Sequence, residues 1–470
     1  MDLGERHFLV LGLGATGRAC ARWLAAKGAT LRLADSRSEP PQLAELKAAL
    51  PAVEVVTGPF EEALLDGIDT IVVSPGLPLD LPLLQRAGQR GLLVIGDIEL
   101  FALELEDQRH RSARPIHVIG ITGSNGKSTV TALIGEMCEK AGLATVVAGN
   151  IGLAVLDALP AEGQPWPDVF VLELSSFQLE STISLRADVG VVLNISADHM
   201  DRYASMEDYA AAKARLPQNS FVQVLNREDE RVLAMARDPA TSIFFGLDSA
   251  GRLHDWGMDM VHGETWLMQG RRKTMRAAEI PLAGKHNLAN TLAALAACRA
   301  LKLPEAPLVA AVRAFKGLPH RIQRVASISG VTFYDDSKGT NVGSTVAALS
   351  GMPCKVVLIA GGDGKGQDFS PLRDAVRDHA RAVILIGRDR EQIARALDGL
   401  EVPLVRAATM NEAVTLSFGR ARSGDAVLLS PACASFDMFR DYVHRAEVFV
   451  AAVESLQQRI REQGVAGSGN

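Results

Sequence analysis

The sequence lacks the features that mark membrane proteins and nucleic-acid-binding proteins. Its 470 residues contain no run near the roughly 18 consecutive apolar residues that suggest a membrane-spanning helix. Lys plus Arg number 49 against 55 Asp plus Glu, a net charge of −6, whereas proteins that track a phosphate backbone carry a basic excess. No signal-peptide pattern precedes the first apolar strand, FLVLGLG. We therefore expect a cytoplasmic protein with no membrane and no nucleic-acid partner.

Cysteines are few and unpatterned. The five are odd in number and none has the CxxC spacing of a zinc or redox pair; they are Cys20, Cys138, Cys298, Cys354 and Cys433. Each lies in an apolar or small-residue stretch, which indicates buried thiols in a reducing compartment. Neither a disulfide framework nor a zinc site is expected.

What the chain does have is the composition of ordinary globular domains, 47% hydrophobic and 22% charged. At about 150 residues per domain, its length predicts about three domains. Short β-branched runs alternate with longer helical patterns, as in FLVLGLG followed by TGRACARWLAAKGA. This alternation predicts an α/β fold with parallel sheets and helices on both faces.

Two composition shifts predict the domain boundaries. A charged stretch from Phe101 ends at Pro115, before the apolar strand IHVIGIT, and Gly and Pro follow an alanine-rich helical run at residues 316–321. The predicted domains are residues 1–114, 115–317 and 318–470. From 244 to 276 the polar and aromatic content rises, which predicts antiparallel strands inserted in the middle domain.

The strongest local signal is the run IHVIGITGSNGKSTVTALIG, an apolar strand, a glycine-rich turn and a helix. This is the layout of a phosphate-binding loop, although the strict GxxxxGK[ST] pattern would need glycine where the chain has Ile121. Backbone N–H groups and the amino end of the helix attract phosphate oxygens, and Lys127 adds a full positive charge. The predicted ATP-binding residues of this loop are Gly123, Ser124, Asn125, Gly126, Lys127, Ser128 and Thr129.

A second glycine-rich turn lies near the amino terminus. Gly12, Gly14 and Gly17 form GLGATG after a strand, and Asp35 ends the next strand. The pattern is typical of dinucleotide binding, with the acid on a ribose hydroxyl. It also suits another nucleotide diphosphate such as UDP, and it occurs in tight turns that bind nothing. The residues alone leave these interpretations open, and the chain shows no obvious group for hydride transfer.

Polar side chains follow several other strands. Glu173 closes an apolar strand, and Asp198, His199 and Asp201 follow another, which is a common position for magnesium-binding carboxylates in P-loop folds. Loops of the last third carry further groups suited to carboxylates or phosphates. Together with three upstream residues they predict a site between domains: Asn287, Asn290, Arg321, Lys338, Lys365 and Ser435.

In order and spacing, these motifs resemble those of the bacterial Mur ligases. The resemblance is carried by GITGSNGKST, LELSSFQLE, NISADHMDRY, LPHR, DDSKGTNVGST, GGDGKGQDFS and LLSPACAS, and it extends from Val10 to beyond Arg445. It implies a Rossmann-like amino-terminal domain that binds UDP, a central P-loop ATPase domain, and a Rossmann-like carboxy-terminal domain that binds an amino acid. It also implies a monomer that uses ATP and two Mg²⁺, without NAD or zinc.

The implied activity is that of an ATP-dependent ligase that forms an amide bond and releases ADP and phosphate. The alanyl carboxylate of UDP-N-acetylmuramoyl-L-alanine would be phosphorylated, and the amino group of D-glutamate would displace phosphate. This is a step of peptidoglycan precursor synthesis, on which cell-wall biogenesis, cell shape and cell division depend. The chemistry is reasonable because a carboxylate is a poor electrophile and phosphorylation supplies a leaving group.

Position by position, the resemblance implies a role for each site residue. The UDP-substrate set is Ala15, Thr16, Asp35, Ser36, Arg37, Gly76, Asn150 and His199. The ATP set, besides the loop, is Asn287, Asn290, Arg321 and Asp336. The amino-acid set is Thr340, Lys365, Ser435 and Tyr442. The catalytic set is Lys127, Glu173, His199, Lys213 and Lys338, and the metal set is Ser128, Glu173, His199 and Lys213.

Lys213, in EDYAAAKARL, matches a lysine that the family carbamylates with CO₂. A carbamate turns a cation into an anion able to bind the second Mg²⁺. From the residues alone, Lys213 is interpreted as a solvated lysine on an amphipathic helix.

Two alternative functions stay open. One is a related ligase that adds another amino acid or extends folate with glutamate. The chain lacks the DNPR motif of the enzymes that add diaminopimelate or lysine, and Lys365 with Ser435 favours a short acidic amino acid. The other is an NAD-binding oxidoreductase or a nucleotide-binding regulator built on GLGATG.

Overall fold

The computed structural model describes residues 3–282 and 284–467, which form three α/β units, each built on its own sheet. We call them the N-terminal unit (7–111), the central unit (117–314) and the C-terminal unit (323–467). The predicted three-part α/β fold is confirmed. The predicted domain boundaries fall in the connections between these units and stay predictions.

The N-terminal unit has five parallel strands in the order β3-β2-β1-β4-β5. Its elements are β1 His7–Leu11, α1 Ala15–Ala26, β2 Thr30–Asp35, α2 Leu43–Ala49, β3 Glu54–Thr57, β4 Thr70–Val73, α3 Pro82–Gln89, β5 Leu93–Ile95 and α4 Asp97–Arg111. The outward progression of strands on each side of β1 is the doubly wound, Rossmann-like arrangement.

The central unit has nine strands in the order β14-β13-β12-β11-β10-β9-β6-β8-β7. Its elements are β6 His117–Thr122, α5 Lys127–Lys140, β7 Thr145–Gly149, β8 Val169–Glu173, α6 Ser176–Glu180, β9 Ala187–Val192, α7 Met206–Gln218, β10 Ser220–Asn226, α8 Glu230–Leu233, β11 Ile243–Phe245, β12 Trp256–Val261, β13 Glu264–Gln269, β14 Arg272–Arg276, α9 Lys285–Ala300 and α10 Glu305–Ala314. The predicted antiparallel insertion is confirmed for β12 to β14, whereas β11 pairs in parallel with β10.

The C-terminal unit has six strands in the order β15-β16-β20-β17-β18-β19, all parallel except the β15–β16 pair. Its elements are β15 Gln323–Ile328, β16 Val331–Asp335, α11 Val342–Gly351, β17 Val356–Gly361, α12 Leu372–His379, β18 Ala380–Ile386, α13 Arg390–Ala396, β19 Leu404–Arg406, α14 Met410–Arg420, β20 Ala426–Leu429 and α15 Tyr442–Gly467.

The sheets bring the strand ends that carry polar residues together. Strands β8 and β17 are buried along their whole length, as expected for parallel strands covered on both faces. In the central unit β6 lies between β8 and β9, so the loops after all three meet at one edge. In the C-terminal unit the loops after β16, β20 and β17 meet in the same way.

Among residues 3–282 and 284–467, no helix combines the length and the apolar composition that a bilayer-spanning segment needs.

Candidate active site

The phosphate-binding loop joins β6 to α5. Gly126 precedes α5 at φ 85°, and Gly123, at φ 146°, passes so close to the end of β9 that a Cβ there would lie 3.0 Å from Leu193 Cβ. Both positions therefore require glycine. Lys127 begins α5, and its Nζ donates to the carbonyl oxygens of Gly123 and Ser124 at 2.8 and 3.0 Å. The ammonium group lies within the loop, and burial lowers its pKa.

Glu173 ends β8 beside this loop. Its Oε1 accepts a hydrogen bond from Asn150 Nδ2 at 2.8 Å, and its Oε2 is buried and accepts none within the described part of the chain. Burial alone would raise the pKa of Glu173, but the charge of Lys127 and the neighbouring Ser128 and Asn150 lower it. A buried carboxylate that stays anionic and has a bare oxygen fits a magnesium ion.

Ser128 supplies a second hard oxygen at the amino end of α5, and its Oγ accepts a hydrogen bond from Lys338 Nζ at 2.9 Å. Mg²⁺ is usually held by one or two protein oxygens together with phosphates and water. No group of three or more His, Cys, Asp or Glu suited to a metal occurs in the described residues. The predicted metal set therefore needs nucleotide, water or a modified lysine to complete it, and in that form the residues present fit the ion.

His199 and Asp198 follow β9, and their side chains have different surroundings. The His199 ring lies 4.7 Å from the Phe177 ring, and burial lowers the pKa of His199 to about 4, so its imidazole is neutral at pH 7. Asp198 accepts hydrogen bonds from two groups of the C-terminal unit, Lys365 Nζ at 2.6 Å and Asn341 Nδ2 at 3.0 Å. Asp198 is thus engaged with the C-terminal unit rather than free to bind a metal.

Lys213 lies in the interior of the central unit with 1% of its surface exposed. Helix α7 directs its Nζ to the carbonyl oxygen of Gly123 at 3.0 Å and to within 4.6 Å of the centre of the Tyr209 ring. Burial, and then the charge of Lys127, lower the pKa of Lys213 well below its ordinary value, which favours the neutral amine. The interpretation of Lys213 as a solvated lysine is wrong.

A cavity of about 290 Å³ lies between the central and C-terminal units. Residues of the predicted ATP set line it from both units: Asn125, Gly126, Thr129, Asn287, Asn290, Arg321 and Asp336. Its remaining lining includes residues that sequence reasoning missed, namely Asn226, Phe245, Leu247, Leu282 and His286. Their only signal is that Asn226 and Phe245 end strands β10 and β11 and that Leu247 follows β11. An apolar wall with a few polar groups suits a flat, partly polar base.

In the N-terminal unit the predicted UDP residues meet at the carboxyl edge of the sheet. Asp35 accepts hydrogen bonds from Leu13 N at 2.7 Å and from Arg37 N and Nε at 2.9 and 2.8 Å. Burial would raise the pKa of Asp35, but these donors lower it to about 2. Near this carboxylate the unit places the remaining predicted residues at the start of α1 and after β2 and β4: Ala15, Thr16, Ser36 and Gly76. Asn150 and His199, the other two members of the predicted UDP set, lie apart in the central unit.

The predicted amino-acid residues lie after β16, β17 and β20. Lys338 Nζ lies 5.4 Å from the centre of the Tyr442 ring at the start of α15. Burial lowers the pKa of Lys338 to about 8. Thr340 and Ser435 occupy neighbouring loops after β16 and β20, and Lys365, after β17, has a left-handed φ of 51°.

Arg445 is a residue that sequence reasoning did not assign. It is 0% exposed and donates hydrogen bonds to Ser337 O at 2.7 Å, Ser337 Oγ at 3.0 Å and Cys433 O at 3.0 Å. These contacts tie the loop that carries Lys338 to the loop that carries Ser435. No local pattern distinguishes Arg445 from a surface arginine of α15, because its burial depends on contact with Ser337, which lies 108 residues earlier in the chain.

Comparison with known proteins decides the family. Three family models match in succession: "Mur ligase MurD-like, N-terminal domain" at residues 6–96, "Mur ligase middle domain" at 121–298 and "Mur ligase, glutamate ligase domain" at 320–433. Curated proteins named UDP-N-acetylmuramoylalanine–D-glutamate ligase are similar throughout. The protein of Nitrosomonas eutropha is 52% identical, covering 98% of both chains, and that of Nitrosospira multiformis is 54% identical, covering 97% of both. The chain belongs to the Mur ligase family.

Solved Mur ligases share its fold. UDP-N-acetylmuramate-alanine ligase MurC from Thermotoga maritima aligns with a TM-score of 0.59 at 18% identity, over 96% of this chain and 99% of that one. MurF ligase from the same organism, solved with ADP, aligns with a TM-score of 0.59 at 15% identity, over 98% and 99%. At such identities the likeness shows the three-part architecture alone.

In this Mur ligase we expect Asp336 to support nucleotide binding while it lowers the folding stability at neutral pH. Asp336 is buried beside Ser430 and Arg321, and burial outweighs both in raising its pKa from 3.8 to about 7. Between the ordinary pKa of 3.8 and the raised pKa of about 7, the folded state therefore binds a proton that the unfolded state releases, so this stability falls over that range and is lost above about pH 7. We expect Asp336→Asn to flatten the fall of the thermal midpoint between about pH 4 and pH 7 and to raise the KM for ATP.

Differential scanning calorimetry and ATP-dependent turnover measure the two effects. Asp425→Asn is the matched control, since Arg381 and burial act on that carboxylate in opposite directions and its pKa is lowered. An unchanged pH dependence in Asp336→Asn would contradict the assigned protonation, and an unchanged KM for ATP would remove Asp336 from the nucleotide site.

Proposed function

We propose that this Mur ligase uses ATP to join D-glutamate to UDP-N-acetylmuramoyl-L-alanine through an acyl phosphate, in peptidoglycan precursor synthesis. The observation that carries the proposal is the near-full-length similarity, at 52–54% identity, to proteins named for this reaction. The geometry supports it, because a phosphate-binding loop in the central unit faces Lys338 and Lys365 of the C-terminal unit.

The first step is transfer of the terminal phosphoryl group of ATP to the alanyl carboxylate. Backbone N–H groups of the loop and Lys127 bind the phosphates and counter the charge that accumulates on them. Ser128 and Glu173 would hold Mg²⁺, which neutralises phosphate charge when bound. Lys338, whose Nζ reaches Ser128 Oγ, brings a further cation to the reacting groups from the C-terminal unit.

The second step is attack of the amino group of D-glutamate on the acyl phosphate, which forms the amide and expels phosphate. We assign the carboxylates of D-glutamate to the loops that carry Thr340, Lys365, Ser435 and Tyr442. Lys365 is suited to this role because it already pairs with a carboxylate, that of Asp198. Binding of the amino acid would then exchange one carboxylate partner of Lys365 for another.

Two further assignments complete the proposal. Lys213 would react as its neutral amine with CO₂ to give a carbamate and a proton, and the carbamate would bind a second Mg²⁺. The uridine diphosphate would lie at the amino end of α1, with no role for NAD or zinc. Asp35 supports this assignment because it orders the surrounding loops, accepting from Leu13 N in the glycine-rich turn and from Arg37 after β2. We also propose that the enzyme acts as a cytoplasmic monomer, since residues of one chain supply every predicted set.

The decisive experiment measures phosphate release from ATP with each substrate omitted in turn. We expect release only when UDP-N-acetylmuramoyl-L-alanine and D-glutamate are both present, because neither partial reaction turns over without an acceptor. L-glutamate and uncharged D-amino acids serve as matched controls. Phosphate release that requires a different amino acid in place of D-glutamate would refute the assigned substrate but not the ligase activity. Release with no amino acid, or nicotinamide reduction, would refute the proposed reaction.

A further inference from the structure

Within residues 3–282 and 284–467, three side chains of the C-terminal unit donate hydrogen bonds to the central unit around the phosphate-binding loop. Lys338 Nζ donates to Ser128 Oγ at 2.9 Å, and Lys365 Nζ donates to Asp198 Oδ1 at 2.6 Å. Both contacts use groups that the proposed reaction requires for another purpose. Ser128 is assigned to the metal, and Lys365 is assigned to the incoming amino acid. These two contacts must therefore change partners when substrates bind.

The third contact uses an uncharged side chain with no assigned substrate. Asn341, 3% exposed, donates from Nδ2 to Asn125 Oδ1 and to Asp198 Oδ2, each at 3.0 Å. Its Oδ1 accepts from Ser344 N at 2.9 Å and caps α11. The side-chain amide of Asn341 thus caps its own helix through its oxygen and donates from its nitrogen to two residues of the central unit. The bond to Asp198 is buried and the bond to Asn125 is partly buried, so loss of Nδ2 leaves two acceptors without their partner.

Asn125 connects this contact to the place where phosphate is expected. Its backbone N donates to Asn194 Oδ1 at 2.8 Å, and Asn194 Nδ2 donates back to Asn125 O at 3.0 Å. Asn125 precedes Gly126, the last residue before α5. A phosphate bound by the loop would fix the backbone of Asn125 and hence the position of its side-chain oxygen, which is the acceptor for Asn341.

The backbone of α11 approaches the same surface independently of Asn341. A Cβ added at Gly343 would lie 3.0 Å from Ser196 Oγ and 3.1 Å from Asn125 Nδ2. Both distances are shorter than normal van der Waals contact. Gly343 has an ordinary helical conformation in α11, so the absence of a side chain here serves the close approach of the two units rather than the backbone.

We propose that Asn341 is a positioning residue that couples occupation of the phosphate-binding loop to closure of the C-terminal unit. It holds the units together while Lys338 and Lys365 exchange partners, and so presents both lysines to the reacting groups. The inference rests on the proposed ATP-dependent ligation. By reciprocity, nucleotide that orders Asn125 favours closure, and closure favours nucleotide.

The test is Asn341→Ser in the full-length enzyme. Serine caps a helix as well as asparagine does but is too short to reach Asn125 and Asp198. We expect a folded enzyme with a slightly lowered thermal midpoint, a KM for the amino acid raised about tenfold or more from the loss of the hydrogen bonds to Asn125 and Asp198, and an unchanged KM for the UDP-substrate. Small-angle scattering with the UDP-substrate and a non-hydrolysable ATP analogue should show less compaction than in the unmodified enzyme.

Two further variants make the result decisive. Gly343→Ala, which crowds Ser196 and Asn125 without losing a hydrogen bond, should give the same split between the two KM values. Thr409→Ser changes the cap of α14 in the same unit, away from the interface, and should change neither value. Normal compaction and amino-acid KM in both Asn341→Ser and Gly343→Ala would overturn the proposal, as would an equal rise in both KM values. If the unmodified enzyme turns over a different amino acid, the comparison is made with that one, so failure of the substrate assignment remains distinguishable.

Discussion

Replacing Lys127 with alanine lowers the turnover of ATP by about a thousandfold or more, the scale expected when a charge-stabilising group is removed from a preorganised site. Lys127 Nζ donates to the carbonyl oxygens of Gly123 and Ser124, within the loop that would bind phosphates. Removing the Lys127 side chain leaves the backbone N–H groups of the loop in place but removes the positive charge of the ammonium group. Phosphate release under saturating substrates measures the effect.

The same substitution should leave the fold intact, because burial already disfavours the charged form of Lys127 and alanine removes a desolvated cation. Lys140→Ala is the matched control: it lies exposed at the other end of α5 and should retain full activity. Turnover by Lys127→Ala close to that of Lys140→Ala, with equal thermal midpoints, would refute the phosphate assignment.

The phosphate-binding loop and its neighbours were predictable because their signals are local. A strand, a glycine-rich turn and a helix carry their own pattern, and parallel strands place the following loops at one edge. That is why Glu173 and His199, predicted from strand-end positions, lie at the same edge as Lys127. The alternation of strands and helices likewise predicted the α/β fold, while the parallel pairing of β11 was missed because three residues are too few to show a pattern.

The contacts between units were not predictable in this way. Asp198 and Lys365 are separated by 167 residues, and Lys338 and Ser128 by 210. Ser128 lies in the first turn of α5, and the other three residues lie in polar loops whose sequences do not show whether they face water or another unit. Only the approach of two folded units decides that Asp198 meets a lysine and not a metal, and sequence patterns do not encode that approach directly.

Lys213 shows the limit most clearly. In EDYAAAKARL the run of alanines gives no apolar stripe from which to judge the buried face of α7. A lysine in such a sequence is normally solvated, and only the resemblance to Mur ligases pointed to another role. In the structure the face that carries Lys213 points to Gly123 at the phosphate-binding loop. The side chain is buried because α7 packs against β9 and β10 with this face directed at the loop.

Lys213 therefore carries the second large prediction. We expect Lys213→Arg to lower turnover by at least about a hundredfold, because arginine stays cationic and cannot form a carbamate. In the unmodified enzyme, ¹³C-bicarbonate should give a carbamate carbon signal by NMR that is absent from Lys213→Arg. Depleting CO₂ should lower the activity of the unmodified enzyme and restoring bicarbonate should recover it, since the carbamate forms reversibly from the neutral amine.

Two comparisons separate this role from a structural one. Lys213→Met keeps the length of the side chain and removes the nitrogen, and it should fold as well as the unmodified enzyme because the site at 1% exposure favours an uncharged group. If it folds but fails to turn over, the nitrogen is required for chemistry and not for packing. A carbamate signal that persists in Lys213→Arg, or activity that ignores CO₂ in the unmodified enzyme, would show that Lys213 acts as an amine through its bond to Gly123. The choice matters for the whole site, because an amine at this position holds the loop, whereas a carbamate would add a second anionic ligand besides Glu173.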